Sequence, residues 1–307
     1  MKIENFAEEI KVELQKEYGS EYKITVNTVV KNNNTHLTGI LIGNVKESVF
    51  PTIYIDDLFD AYRNNTLSLK EACSEVIKAY NNSIPDKNKI NINYDLVADF
   101  NNVRDKICIR LVSKEMNSEK FKEIPYLDFL DLACEFYIPM TDESNDKRTL
   151  NIQVRDKMLE LWNIDINDLF DIAKSNTRKI FKHFIVPMGK MIQSIASVED
   201  IDEDIMDALQ EDNMMFVGTN NLGLNGATII MYNDILKSFA EKVHEDLYII
   251  PSSIHEVIIV PANNGVTAEE IKPMINDVND SCVMHEEVLS NNLYMYSRNL
   301  NEVIILK

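Results

Sequence analysis

An α+β fold in two domains, with largely antiparallel sheets and helices packed on them, follows from three features of the sequence. First, the predicted strands fall in neighbouring pairs between helices rather than in regular βαβ units; LYII and VIIV are one such pair. Second, the 307 residues are 45% hydrophobic with only 8 glycines and 8 prolines, which suits a packed chain without low-complexity linkers. Third, the asparagine-rich stretch NNSIPDKNKININ interrupts the periodic segments. It places a boundary near residues 85–103, between an N-terminal α+β domain at 1–90 and a larger α+β domain at 103–307.

The elements follow in order. Residues 1–18 put Ile3, Phe6, Ile10, Leu14 and Tyr18 on one face of a helix, with glutamates and lysines opposite. YKITVNTVV and HLTGILIG are strands about the turn KNNNT, whose asparagines suit tight backbone reversals. VFPTIYI is a third extended run, leading into the short helix DDLFDAYRNN. The next helix, SLKEACSEVIKAY, opens with a capping box of Ser68 and Glu71 and turns Ala72, Cys73, Val76, Ile77 and Tyr80 inward.

Beyond the boundary, DKICIRLVS and CEFYIPM are strands, TDESNDKR a solvated loop and TLNI another short strand. Helices run through VRDKMLELW and INDLFDIAKSNTRKIF. After an acidic segment, MMFVGTN and GATIIMY read as a hairpin pivoting on Asn225-Gly226. NDILKSFAEKVH is a helix with Ile235, Leu236, Phe239, Ala240 and Val243 inward, and the strands LYII and VIIV follow. TAEEIKPMINDV is helical, with a Thr267/Glu270 capping box and with Pro273 setting a kink or a later start. NLYMYSR and EVIILK form a final strand pair. IDDLFDAYRNN and INDLFDIAKSN share six of eleven positions, yet an Asp or Asn cap followed by an inward Leu-Phe recurs without duplication.

Charge is the strongest global feature. Against 31 Lys+Arg stand 50 Asp+Glu, a net −19, which argues against direct binding of a nucleic-acid backbone and for a basic partner or a solvated acidic surface. No apolar run reaches the roughly 18 residues that span a bilayer, and MKIENFAEEIKVEL has acids where a signal peptide has a basic region. A cytoplasmic protein without a membrane association is expected. Cys73, Cys108, Cys134 and Cys282 form no CxxC pair, so buried reduced thiols are expected.

Candidate chemistry is sparse. In PSSIHE, Ser253 and His255 share a face if the segment is a strand, which allows a serine–histidine dyad. The G-x-S-x-G elbow is absent, however, and the alternative is a turn from Pro251 to Ser253 with His255-Glu256 opening the return strand. In VEDIDEDIMDALQED, Asp200, Asp202, Asp204 and Glu211 have calcium-loop spacing, but Ile205 stands where glycine is needed. Ile201, Ile205, Ala208 and Leu209 instead mark a helix whose Asp202, Glu203, Asp204 and Asp207 face water or a basic partner. Gly189-Lys190 lacks the rest of a phosphate loop, and Gly218, Gly223 and Gly226 do not fit G-x-G-x-x-G. The five histidines show no metal-binding spacing, so neither a metal nor a cofactor is expected.

PTIYIDDLF, DLACEFYI, NDLFDIAKSN, NGATIIMY and DLYIIPSSIHEVIIVP, in that order, resemble an uncharacterised Firmicutes family with a domain-of-unknown-function label, seen in mobile elements and gut-bacterial genomes. The resemblance spans nearly the whole chain, with PSSIHEVIIVP its most specific part. The C-terminal two-thirds is similar to a second uncharacterised Firmicutes family of small cytoplasmic proteins. Neither implies an activity, a cofactor or catalytic residues. The resulting expectation is a non-catalytic acidic protein that binds a protein with a basic surface, with a role as a mobile-element accessory or counter-defence factor. Sheet edges, EVIILK especially, could take a partner strand. The competing classes are a hydrolase using Ser253 and His255 and a small-molecule sensor. Oligomeric state is left open.

Overall fold

The computed structural model describes residues 1–44, 51–83, 97–141, 149–195, 215–263 and 265–306. They fall into two compact units, one holding the described residues up to Ser83 and the other those from Val97 onward. The boundary stretch 84–96, the loop 142–148 and the acidic segment around Asp202 lie outside the described residues.

In the first unit, α1 (Ile3–Tyr18) is followed by β1 (Tyr22–Val30), β2 (His36–Asn44) and β3 (Thr52–Tyr54), then α2 (Asp56–Arg63) and α3 (Leu69–Ser83). The strands form an antiparallel sheet in the order β1-β2-β3. Between β1 and β2, Asn33 and Asn34 hold the left-handed backbone (φ 55° and 51°) that asparagine tolerates better than most residues. Ile24, Ile40 and Ile42 pack in one core with Phe6, Ile10 and Leu14 of α1, Phe59 of α2, and Val76 and Tyr80 of α3. The capping box of α3 is formed: Ser68 N–H and Oγ–H reach Glu71 Oε2 at 2.8 and 2.6 Å, and Glu71 N–H returns to Ser68 Oγ at 3.3 Å. At α2 the expected Asp cap is absent. Ile55 occupies the cap position, and Asp56 accepts the Thr38 N–H at 2.9 Å instead.

In the second unit, α4 (Phe100–Val103) precedes β4 (Cys108–Ser113), β5 (Tyr126–Phe129), β6 (Leu132–Thr141) and β7 (Thr149–Gln153). Then come α5 (Asp156–Trp162), α6 (Ile166–Ile180), β8 (His183–Pro187), α7 (Met188–Ile195) and β9 (Phe216–Asn220). A 3₁₀ segment (Gly226–Met231) leads to α8 (Asn233–Val243), β10 (Leu247–Ile250), β11 (Val257–Pro261), α9 (Ala268–Cys282), β12 (Leu293–Ser297) and β13 (Glu302–Leu306). α6 is capped by Asp165, which precedes the INDLFDIAKSN segment and accepts the Asn167 N–H at 2.8 Å, so the cap expected inside the segment is absent here too.

Both sheets are antiparallel, as the paired strands of the sequence require. β6 lies between β4 on one side and β5 and β7 on the other. The larger sheet runs β13-β12-β10-β11-β9-β8. Ile109, Leu111, Cys134 and Phe136 from the smaller sheet share one core with Leu247, Ile249, Val257 and Tyr294 from the larger one. Leu169 and Ala173 of α6 and Leu236 and Ala240 of α8 complete it. Among the described residues no helix is long and apolar enough to cross a membrane. Cys73, Cys108 and Cys134 are buried as expected, whereas Cys282 is exposed at the end of α9; all four are free thiols.

Three local expectations are corrected. GATIIMY is a 3₁₀ segment, not a strand, and Gly226 to Met231 are all buried. Period-two alternation has no meaning for a run buried on every side. β9 is in any case already flanked by β8 and β11, so a hairpin partner has no place. The unanticipated strand β8, HFIVP, occupies that position. α9 starts at Ala268 with its Thr267/Glu270 capping box in place as expected, so Pro273 does not set a later start, and the helix continues past it to Cys282. His255 and Glu256 lie in the connection between β10 and β11, and the return strand begins at Val257.

Candidate functional site

The register of β10 with β11, from Leu247↔Pro261 to Ile250↔Ile258, leaves Pro251 to Glu256 as the connection. Its geometry comes from one serine. Ser253 Oγ accepts the N–H groups of His255 and Glu256 at 3.0 and 3.3 Å, and its own proton goes to Glu256 Oε1 at 2.8 Å. The Ser253 N–H closes the turn on the Glu256 carbonyl at 3.3 Å. Two further backbone bonds hold the connection to distant segments: Ile254 N–H to the Glu287 carbonyl at 2.9 Å, and Ala227 N–H to the Ile254 carbonyl at 3.3 Å. Ser253 is 4% exposed.

His255 is oriented by other groups. Its Nδ1 accepts the Asn225 N–H at 3.2 Å, so the neutral ring carries its proton on Nε2, which faces Glu287 Oε1 at 3.4 Å. Its carbonyl accepts from Thr219 Oγ1 at 2.8 Å. Gly226 sits against this bond, where a side chain would collide with both Thr219 Oγ1 and the His255 carbonyl. Asn225 just before it takes φ 54°. The structure thus brings Ser253 to Glu256, and His255 to Asn225 and Glu287. A dyad needs the hydroxyl to give its proton to the imidazole and to stand open to a substrate. Here the hydroxyl is buried and its proton is committed to a carboxylate.

Asn225 also joins the turn to a second histidine. Thr228 Oγ1 donates to the Asn225 carbonyl at 2.9 Å and lies 2.9 Å from His183 Nε2. With its single proton spent, the hydroxyl accepts from His183, which fixes that ring as the Nε2–H tautomer. His183 Nδ1 is buried without a hydrogen bond. The ring packs on Tyr232 with centroids 4.9 Å apart, and Arg178 lies over the other aromatic partner at 5.4 Å from the Tyr232 centroid. Burial, with some help from the Arg178 charge, pushes the His183 imidazole down to about 4, although the Phe181 backbone favours the protonated form.

A third polar centre lies on the smaller sheet. Glu135 is fully buried in β6 opposite Arg110 of β4, and its carboxylate pairs with the Arg110 guanidinium and with Lys120 Nζ at 2.6 and 2.7 Å. Arg110 also donates to Gln153 Oε1 at 2.9 Å, and Gln153 Nε2 donates to the Phe136 carbonyl at 2.8 Å. Burial alone would raise the Glu135 carboxyl, but the two cations outweigh it and hold the group below the ordinary carboxylate range. Lys120 is lowered by its own burial, which Glu135 opposes.

Among the described residues no three His, Cys, Asp or Glu side chains converge on a metal-sized space. Gly189 and Lys190 lie within the helix α7, and Gly218 and Gly223 lie in β9 and the turn after it. A shallow groove between β8 and α8 is lined by Ile185, Asp234, Ile235, Ser238, Phe239 and Lys242. Asp234 on its rim is bound by Arg178. Asp202, Glu203, Asp204 and Asp207, the expected partner contact, and Asp200 and Glu211 of the calcium-loop pattern all lie outside the described residues.

His183, Thr228, Glu135 and Glu287 are the polar centres that the sequence did not single out, and Asn225 stood there only as a turn residue. One local signal was present for the turn, because Ser253 and Glu256 have the S-x-x-E spacing of the two helix caps. No curated protein matches the chain. No solved structure matches it either. A family model described as a family of unknown function (DUF5688) matches residues 3–298, and the chain, with its serine-pinned turn and buried charged centre, belongs to that family.

Proposed function

We propose that the protein is a non-catalytic binding protein that meets a basic surface of a protein partner in the cytoplasm. The observation that carries this reading is the charge balance, 31 cations against 50 acids. A net −19 draws a basic protein and repels nucleic-acid phosphates. The acidic run of Asp202, Glu203, Asp204 and Asp207 is the contact we assign to that partner. The commitment of the Ser253 proton to Glu256 supports a binding role over a hydrolytic one. An accessory or counter-defence role in a mobile element, in which the acidic surface occupies the nucleic-acid groove of a host protein, fits the same chemistry.

The test is a nuclease-treated pull-down comparing the wild type with a variant carrying lysine at those four positions, at low and high salt. A protein retained by the wild type at low salt, and lost both at high salt and from the variant, is expected, because exposed charge contacts are screened. Retention that is indifferent to salt, or no retained protein, would overturn the reading. Labelling of Ser253 by a serine-reactive probe would favour a hydrolase instead.

A further inference from the structure

An edge strand exposes unpaired backbone groups, and folded proteins blunt such edges with charge, proline, bulges or covering segments. Most edges here are treated in one of these ways. β4 is covered by α6: Thr177 Oγ1 accepts the Ile109 N–H at 2.8 Å, and Asn176 Nδ2 donates to the Arg104 and Ile107 carbonyls at 2.7 and 3.1 Å. β8 ends in Pro187 and runs directly into α7. β1 carries the exposed Lys23 and Asn27. β3 and β5 are three and four residues long, and β7 carries the polar Asn151 and Gln153.

β13, EVIIL, carries no proline, and its one charge, Glu302, stands at its first residue. It pairs with β12 in unbroken register from Leu293↔Leu306 to Ser297↔Glu302, without a bulge, and among the described residues its other edge pairs with nothing. The strand is also held firmly on both faces. Val303 is buried and Ile305 packs against the main core, while Leu306 packs beside Ile271, Ile275 and Leu293 under α9. It is an ordered template rather than a frayed end.

We propose that β13 is a self-association edge, on which a second copy of the chain lays its own β13 antiparallel about a two-fold axis at Ile304. This rests on the strand itself and is independent of the basic-partner reading. In the register of fullest overlap Glu302 faces Leu306, Val303 faces Ile305 and Ile304 faces its own copy. No like charges are opposed, and the facing β-branched pairs are of the kind that stabilise sheets. Each pairing occurs twice about the axis, as in any isologous contact. Glu302 is the strand's one charge, so a basic partner would find little to bind there. Two six-stranded sheets then become one continuous sheet.

Each copy carries −19, so long-range repulsion opposes the contact and salt strengthens it, the opposite of the dependence expected for a basic partner. The experiment is sedimentation velocity on the full chain over a wide concentration range at low and high salt. A monomer–dimer equilibrium that tightens with salt is expected, and Ile304→Lys, which opposes two like charges at the axis, raises its Kd by roughly tenfold or more. Circular dichroism and a thermal melt check that this variant is folded.

A second variant decides the matter if it is not. In a Cys282→Ser background, Ile304→Cys places two thiols directly opposite and oxidises to a covalent dimer. Glu302→Cys does not, because its two copies lie about 13 Å apart along the strands, beyond the roughly 7 Å a disulfide allows. A chain that stays monomeric at high salt and high concentration overturns the proposal. So does a dimer indifferent to Ile304→Lys in a folded variant, or equal cross-linking through both cysteines.

Discussion

Ser253 Oγ lies 2.8 Å from Glu256 Oε1, and that single bond decides how the most distinctive segment of the sequence is read. A hydroxyl three residues before a glutamate makes half of the pattern that opens α3 and α9, accepting the glutamate's N–H and donating to its carboxylate. Here the Ser253 N–H goes to the Glu256 backbone carbonyl instead, which closes a strand connection. The hydroxyl is donor to one side chain and acceptor for two backbone amides, so it is structural in all three roles.

Removing it should therefore cost stability. Ser253→Ala leaves the His255 and Glu256 amides and the Glu256 carboxylate short of a partner in a poorly solvated turn, a loss of about 1–3 kcal/mol. Ser253→Thr, which keeps the hydroxyl, should recover most of it if the extra methyl is accommodated. Urea unfolding of the three proteins measures this. An alanine variant as stable as the wild type would mean that the serine is not what holds the turn.

How much of this was legible depended on the distance over which each feature is determined. α1, β1, β2 and the two capping boxes could be read because their determinants are local: a 3.6-residue apolar period, asparagines at a turn, an acid three residues after a hydroxyl. The 3₁₀ segment could not. Gly226 is held against Thr219 and the His255 carbonyl, and those residues reach it only through the fold. β8 escaped because five residues without alternation and with a terminal proline carry little strand signal. Glu135 was missed, although one acid in an apolar strand run is a signal of a paired buried charge. Its partners stand 25 and 15 residues away at Arg110 and Lys120, too far for any pattern to name.

That charged centre should respond non-additively. Glu135→Gln leaves two cations facing each other in a site where Lys120 is 13% exposed, and removal of one partner of a buried pair costs about 3–5 kcal/mol. Replacing Arg110, Lys120 and Glu135 together with methionine removes the desolvation burden along with the attraction, and should cost less than the single change. The acid dependence has a fixed sign. Because Glu135 is held below the ordinary carboxylate range, its contribution is fully present above that range and is lost as pH falls through the depressed value. Denaturant titrations of the single and triple variants test both points; a triple variant weaker than Glu135→Gln would show that the ions themselves, not their mutual compensation, hold the sheet.

His183 loses stability in the same direction, but at higher pH. Its folded imidazole is pushed from 6.5 down to about 4, chiefly by burial, which outweighs the Phe181 backbone that favours the proton. Above pH 6.5 both the folded and the unfolded chain keep this ring neutral. Between 6.5 and about 4 the unfolded ring takes up a proton that the folded one refuses, so stability falls with pH across that window, by at most about 3 kcal/mol. His183→Gln retains a donor for Thr228 but cannot titrate, so it should be less stable than the wild type at pH 7.5 and lose less on going to pH 5. The difference between the two denaturation profiles isolates this ring from the other four histidines. Parallel profiles would mean that the folded protein admits the proton, and that the packing of His183 against Tyr232 yields to make room for its hydration.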